Sequence, residues 1–361
     1  LPGLINTHWH LLAGSAADSE EAVDEHIETA VVPMLGSLLD RGITTIMSPG
    51  DHFPHILDIR DSLAAGEMKG PRLLAVGPVF TAPNGWPTQI CQGRASCVPM
   101  VTAEVTTSEQ ARAKVRALAE AGVDAVKLVY DDLIAPGARL DYPLIEEIAD
   151  EARQHGLTLH AHVSTGQETG MDVVAAGAGA LVHPIPLQSQ ESASGARILR
   201  EQGIAVSTTI SGSTPELREA AARLGMLQPG QQETLSESDE FLFSLMFGYV
   251  EHLHNEGVTL AFGTDSVIMQ IADAETNEAL ATAQFWAEVH TLNQIMTNEE
   301  LLASLTRNAA IYLEMDDEIG TLAPGMLADI VIVDGNPLEN IDDLANVSMV
   351  IQSGVVVADH R

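Results

Sequence analysis

The stretch VDAVKLVYDDLIAPGARLDYPLIEEIADEARQHGLTLHAHVSTGQETGMDVVAAGAGALVHP, residues 123–184, decides the architecture. It contains three short apolar runs, Ala125–Val129, Thr158–His162 and Ala180–His183, which read as strands buried on both faces. Tyr142–His155 between the first two has the spacing of an amphipathic helix. Strand, helix and strand in succession predict a parallel βα unit, because adjacent parallel strands need a crossover between them. Each run carries a side chain capable of chemistry: Lys127, then His160 and His162, then His183.

The alternation continues in both directions. Leu4–His8, Thr44–Ser48, Leu73–Val79, Ala205–Thr209 and Thr259–Gly263 bring the predicted strands to eight, with helical patterns at Glu20–Asp40, Ser108–Ala121 and Asp239–Asn255. Glycine recurs where a helix gives way to the next strand, in Arg41-Gly42-Ile43, Ala121-Gly122-Val123, Gln202-Gly203-Ile204 and Glu256-Gly257-Val258. A doubly wound sheet shares this pattern, but eight consecutive units favour closure. The expected fold class is therefore α/β, a (β/α)8 TIM-like barrel over residues 1–315. After a helical Glu299–Leu313 the pattern changes, and residues 319–341 (IGTLAPGMLADIVIVDGNPLENI) and 347–358 (VSMVIQSGVVVA) read as strand–turn–strand. Residues 316–361 are thus expected to form the C-terminal part of a small appended β-sandwich domain.

Bulk composition excludes several classes. With 17 basic against 51 acidic residues, net −34, the surface repels nucleic acid and anionic membranes. No apolar run approaches the ~20 residues of a membrane span. Only Lys69, Lys114 and Lys127 are lysines. Acid excess with scarce lysine resembles proteins adapted to high salt, where screening relieves self-repulsion; an ordinary acidic protein is the alternative. Cys91 and Cys97 share one Gly/Pro-rich loop, and a bridge and two free thiols both stay open. The chain opens at Leu1 without initiator Met or signal peptide, which leaves open the loss of an upstream segment. Compartment stays open too, with a soluble, cytoplasmic protein the favoured expectation.

The chemistry-bearing residues fall at strand ends. In INTHWHL, His8 and His10 are two apart and project to one side of a strand, where they can bind a divalent metal; a structural HxH is the alternative. Lys127 lies in a strand buried on both faces. There it needs a carboxylate such as Asp265, or it loses its proton and can be carboxylated to a carbamate able to bridge two metals. His160 and His183 end successive strands, His162 shares a face with His160, and Asp265 follows the last barrel strand in LAFGTDS. These residues gather on strands one, four, five, six and eight, at the end where barrel enzymes keep their chemistry. Tyr130, Trp86 and Met269 are candidates to line the mouth, overhung by the loop Ala82–Pro99, while Asp132 reads as a solvated loop residue. His26, His52, His55, His155, His252, His254 and His290 lie outside the strand register and read as surface or packing residues.

The order HxH, Lys, His, His, Asp, with the opening LPGLINTHWHL and the closing RNAAIYLEMDDEIGTLAPGMLADIVIVDGNPLENI, resembles the amidohydrolase superfamily over nearly the whole chain. Within it the chain is similar to the imidazolonepropionase-like and Xaa-Pro dipeptidase-like enzymes. The resemblance implies two divalent metal ions, zinc first among them. His8, His10 and Asp265 would hold the more buried ion, His160 and His183 the other, and carboxylated Lys127 would bridge them. It implies hydrolysis of an amide, peptide-like or cyclic amide bond by a metal-bridging hydroxide, with Asp265 moving the proton. Dipeptidase-like relatives carry a tyrosine where this chain has His162, so His162 stands as either a carbonyl contact or a supporting residue. Such relatives also carry strands ahead of the LPG turn that are absent here, which would leave the small domain incomplete.

Other readings keep the fold. A lactone, carbamate or phosphotriester would suit the same hydroxide. A one-metal deaminase is disfavoured because Val163 stands where such relatives place a glutamate, and imidazolonepropionase itself because of Lys127. A non-catalytic binding barrel is disfavoured because every ligand position is filled. The implied partner is a small-molecule substrate, neutral or cationic given the acidic loops, and homo-oligomerisation stays open.

Overall fold

The computed structural model describes all residues except 15–19, 92, 95, 132–134, 164–165, 185–189, 228–235 and 270–271, so Asp132 lies outside the described residues. Parallel strands occupy the predicted positions in two sheets. One contains Leu4–Asn6, Ile43–Ser48 and Arg72–Ala75. The other has seven strands, in the order Leu260–Ala261, Ala205–Ser207, Ala180–Leu181, Leu159–His162, Val126–Val129, Val79–Thr81 and Thr102–Glu104. Helices between the strands pack outside them, as in a TIM-like barrel.

The ladder does not run unbroken round the ring. The predicted strand Leu73–Val79 is two strands: Arg72–Ala75 pairs with Ile43–Ser48, and Val79–Thr81 pairs with Thr102–Glu104 and meets Val126–Val129 at one register pair, Phe80 with Leu128. Between them Gly77 takes a left-handed φ of 75° and Pro78 offers no N–H, so the strand cannot continue. Val76 N to Ser48 O at 3.1 Å extends the first ladder, and a single main-chain bond, Asp124 N to Ala75 O at 2.9 Å, bridges this seam. At the other seam Thr7 N donates to Phe262 O at 2.9 Å, joining the first strand to the last. Beyond that point both strands resume as a second parallel pair, Trp9–Gly14 with Ser266–Met269.

Local signals account for the helices. Ser108–Ala121 starts where Thr107 Oγ1 accepts from Gln110 N and ends at Gly122 with φ 83°. The other glycine junctions, Gly42, Gly203 and Gly257, are left-handed too. The predicted Glu299–Leu313 is two helices, Asn298–Ser304 and Arg307–Tyr312, because Thr306 leaves helical geometry with ψ −94°. Among the described residues no helix is long and apolar enough to cross a membrane.

The barrel floor is one small cluster. Ile5, Met47, Leu74, Ala125, Ala180, Ala205 and Ala261 pack with Tyr312, which is 2% exposed. The four alanines leave room on the axis for the phenol ring. Near the C-terminus Ile330–Val333, Val347–Gln352 and Val355–Asp359 form an antiparallel sheet, and Pro2 bridges to Ile330. The sheet is tied to the barrel by Arg72 Nη1 donating to Asp329 Oδ2 at 2.7 Å and Gln352 Nε2 donating to Thr44 O at 3.0 Å. Cys91 and Cys97 are disulfide-bonded, with 5.5 Å between their Cα atoms.

Candidate metal centre

The break in the first and last strands builds the site. His8 lies just past Leu4–Asn6, and His10 sits on Trp9–Gly14, so a strand break as well as strand alternation directs the pair. Asn6 holds both sides of the seam: its Oδ1 accepts from His8 N and from Thr264 N, each at 3.2 Å, and its Nδ2 donates to Thr264 Oγ1 at 2.9 Å. Asp265 then donates its N–H to His8 O at 3.0 Å and adopts φ 56°, a conformation a non-glycine residue keeps only where its surroundings enforce it.

Hydrogen-bond accounting shows what the cluster can hold. His8 Nδ1 faces Val182 O at 3.3 Å and His10 Nδ1 faces Gly50 O at 2.9 Å. A carbonyl only accepts, so each Nδ1 carries the proton and each Nε2 presents a lone pair. Those two Nε2 atoms are 3.2 Å apart, and Asp265 Oδ1 is 3.1 Å from the first and 3.5 Å from the second. His183 is set the same way, its Nδ1 at 2.8 Å from Thr209 Oγ1, whose hydroxyl passes on to Val182 O. Ligand atoms of His8, His183 and Asp265 all lie within 4.8 Å of one another. Lone pairs and a carboxylate thus converge with no proton between them. A divalent cation satisfies that arrangement of nitrogen and carboxylate oxygen donors.

Burial keeps the imidazoles neutral, as metal ligands must be. It lowers His8 to about 4, opposed by Asp265, and lowers His160 to about 3, assisted by the charge of Lys127. His162 falls to about 3 and His183 well below its usual range for the same reason. Burial would raise the Asp265 carboxyl, but His8 first, then His183 and His10, together hold it well below its usual range. With its side chain 41% exposed, Asp265 also faces the open mouth.

Lys127 is 4% exposed and in register with His160 on the adjacent strand. Among the described residues its amine makes no hydrogen bond and no ion pair, so the pairing with Asp265 that the sequence left open is not formed. Burial lowers the amine to about 8 against the pull of Asp265 and Asp51. His160 turns its Nδ1 to the Tyr312 hydroxyl at 3.1 Å, whereas the His162 ring packs against His183 with centroids 4.5 Å apart.

The candidate lining residues are less closely tied to this cluster. Tyr130 is buried, with Arg139 Cζ 4.8 Å from its ring centroid, and donates its N–H to His162 O. Trp86 and Met269 are half-buried, and among the described residues neither is hydrogen-bonded to the cluster. Several supporting residues had no sequence signal. Asp51, fully buried behind His10 at 3.7 Å, accepts from Leu11 N, Leu12 N and Ser48 Oγ. Thr209 and Tyr312 orient their histidines across 26 and 152 residues of chain, a distance no local pattern can report. His26 and His52 are buried packing residues, as the strand register implies.

A parallel barrel that gathers histidines and an aspartate at the carboxyl ends of its strands defines a metal-dependent hydrolase. The chain belongs to the amidohydrolase family, whose model matches residues 1–357. It is accordingly a hydrolase acting on carbon–nitrogen bonds, in a family that binds metal ions. It is 22% identical to the imidazolonepropionase of Thermoanaerobacter pseudethanolicus, over 92% of this chain and 76% of that protein. The structure is similar to that of a prolidase complexed with N-methylphosphonate-L-proline, with TM-score 0.78 and 24% identity, covering 99% of this chain and 86% of that one. It is also similar to a Xaa-Pro dipeptidase with bound methionine in the active site, with TM-score 0.76 and 21% identity over 99% and 86%. At these identities the structural likenesses establish the fold.

Proposed function

We propose that the protein hydrolyses an amide, peptide-like or cyclic amide bond of a small-molecule substrate at a binuclear zinc centre. The observation that carries this reading is the convergence of His8, His10, His183 and Asp265 donor atoms with no proton among them. In this reading His8, His10 and Asp265 would hold one ion and His160 and His183 the second, and Lys127, once carboxylated, would supply a shared anionic ligand. The lowered basicity of Lys127 supports that role, since a neutral amine is what reacts with carbon dioxide. Bound metal supplies a Lewis acid for the scissile carbonyl and an acidified water.

The chain's own residues handle the proton. Asp265 is ionised and half open to the mouth, so its carboxylate takes a proton from the attacking water and delivers it to the leaving nitrogen. His162, beside His183, contacts the substrate carbonyl. Tyr130, Trp86 and Met269 line the entrance, and an acidic surface favours a neutral or cationic substrate. The same reading assigns residues 1–315 to the catalytic barrel and 316–361 to the small β-unit.

The test is metal analysis of protein purified without chelator, joined to a hydrolysis screen of N-acyl amino acids, dipeptides, ureas, lactones and phosphotriesters. Two divalent ions per chain and turnover of an amide are expected; near-zero metal removes the reading. Asp265→Asn should lower turnover by roughly 100-fold or more while keeping at least one ion. Normal turnover in that variant takes the proton-transfer role from Asp265.

A further inference from the structure

The helix Ala274–Leu292 buries polar side chains on the face it turns to the barrel. Asn277, Gln284 and Glu288 are 3%, 9% and 0% exposed, and their spacing of seven and four places them on one stripe with Ala281. Buried polar groups are costly unless bonded, and each of these grips a segment that carries the site. Asn277 accepts from Met269 N at 2.8 Å and donates to Met269 O at 2.9 Å. Gln284 Nε2 donates to Thr264 O at 2.7 Å, the carbonyl immediately before Asp265. Glu288 Oε2 accepts from Ser211 N at 2.6 Å, and Ser211 Oγ donates to the same Thr264 O at 3.0 Å. Two residues before Ser211, Thr209 is held at φ 39° with its hydroxyl on His183 Nδ1.

These bonds have a common effect. With two donors on its oxygen and Asn6 Oδ1 on its N–H, Thr264 has its carbonyl and amide both fixed. That leaves Asp265 N aimed at His8 O and its carboxylate aimed at the histidines. Left-handed backbone at Thr209 and Asp265 is disfavoured for residues that carry a Cβ, so both need such restraint. We propose that Gln284 and Glu288 are positioning residues for the reaction, Gln284 fixing the peptide that presents Asp265 and Glu288 fixing the loop that orients His183. The proposal rests on the metal-centre reading above.

Zinc affinity, measured by competition with a chromophoric chelator, and the visible spectrum of the cobalt(II) form test it on the full chain. Glu288→Ala and Gln284→Ala should each bind zinc about 10–100-fold more weakly and shift the cobalt bands. Glu288→Gln keeps an acceptor for Ser211 N–H and should recover most of the affinity, which a role of charge alone would not predict, whereas Glu288→Met, of similar size with no acceptor, should not recover it. If Glu288→Ala does not fold, Glu288→Met replaces it under the same criterion, filling the space without an acceptor for Ser211 N–H. Either residue whose truncation leaves affinity and spectrum at wild-type values is struck from the proposal, whatever happens to the melting temperature. A wild-type chain that binds no zinc removes the metal-centre reading, and this proposal with it.

Discussion

Tyr312 acts on the site from the opposite end of the barrel. Its ring rises through the floor of alanines, and its hydroxyl meets His160 Nδ1 at 3.1 Å, in an edge-on contact with ring centroids 4.9 Å apart. Burial raises the phenol above its usual range, so it stays a neutral hydrogen-bonding group. Tyr312→Phe keeps the packing and removes the bond. It should cost about 1 kcal/mol in denaturant unfolding and weaken zinc binding by roughly tenfold. Unchanged zinc affinity would mean that the hydroxyl does not set the ring. At this scale His8, His160, His183 and Asp265 were legible because each stands at or past the end of an apolar run, and Lys127 because it interrupts one. Tyr312, Thr209 and Glu288 were not, because their meaning lies in partners far along the chain.

Element boundaries were legible where backbone chemistry is local and obscured where it competes with hydrophobicity. The glycine closures at Gly42, Gly122, Gly203 and Gly257 follow from the need for positive φ after a helix. The apolar run Leu73–Val79 hid the Gly77-Pro78 break, although both residues stand in the sequence and forbid a continuous ladder. A contact between elements is also open to test. His290, on Ala274–Leu292, lies at 3.1 Å from both Glu216 of Pro215–Arg223 and Asp342 of Ile341–Ala345. Burial lowers its pKa, but the bonds to Glu216 and Asp342 outweigh it and raise the group above 6.5. The clamp therefore contributes fully below pH 6.5 and is lost as pH climbs through the higher folded value. With the side chain 41% exposed, solvent screening holds the effect below about 1 kcal/mol. His290→Gln should be less stable than wild type at acidic pH and match it in alkali; a gap that widens with pH would contradict the clamp.

For the whole molecule, charge is the dominant fact. Seventeen basic residues cannot neutralise 51 acidic ones, and the remaining −34 pushes the folded surface apart. Screening shortens that repulsion from about 10 Å at 0.1 M salt to about 3 Å at 1 M. The melting temperature should rise by roughly 5 °C or more between 0.05 M and 2 M potassium chloride. A flat response would favour the plain acidic protein over one fitted to concentrated salt.

Among the described residues, Tyr312 fills the barrel at the end away from the metal-ligand candidates. The phenol that reaches His160 stoppers the shaft from below, packed in one cluster with Ile5, Met47, Leu74 and the methyl groups of Ala125, Ala180, Ala205 and Ala261. A reactant would therefore meet the ligands from the rim that the Asp265 side chain, 41% exposed, faces.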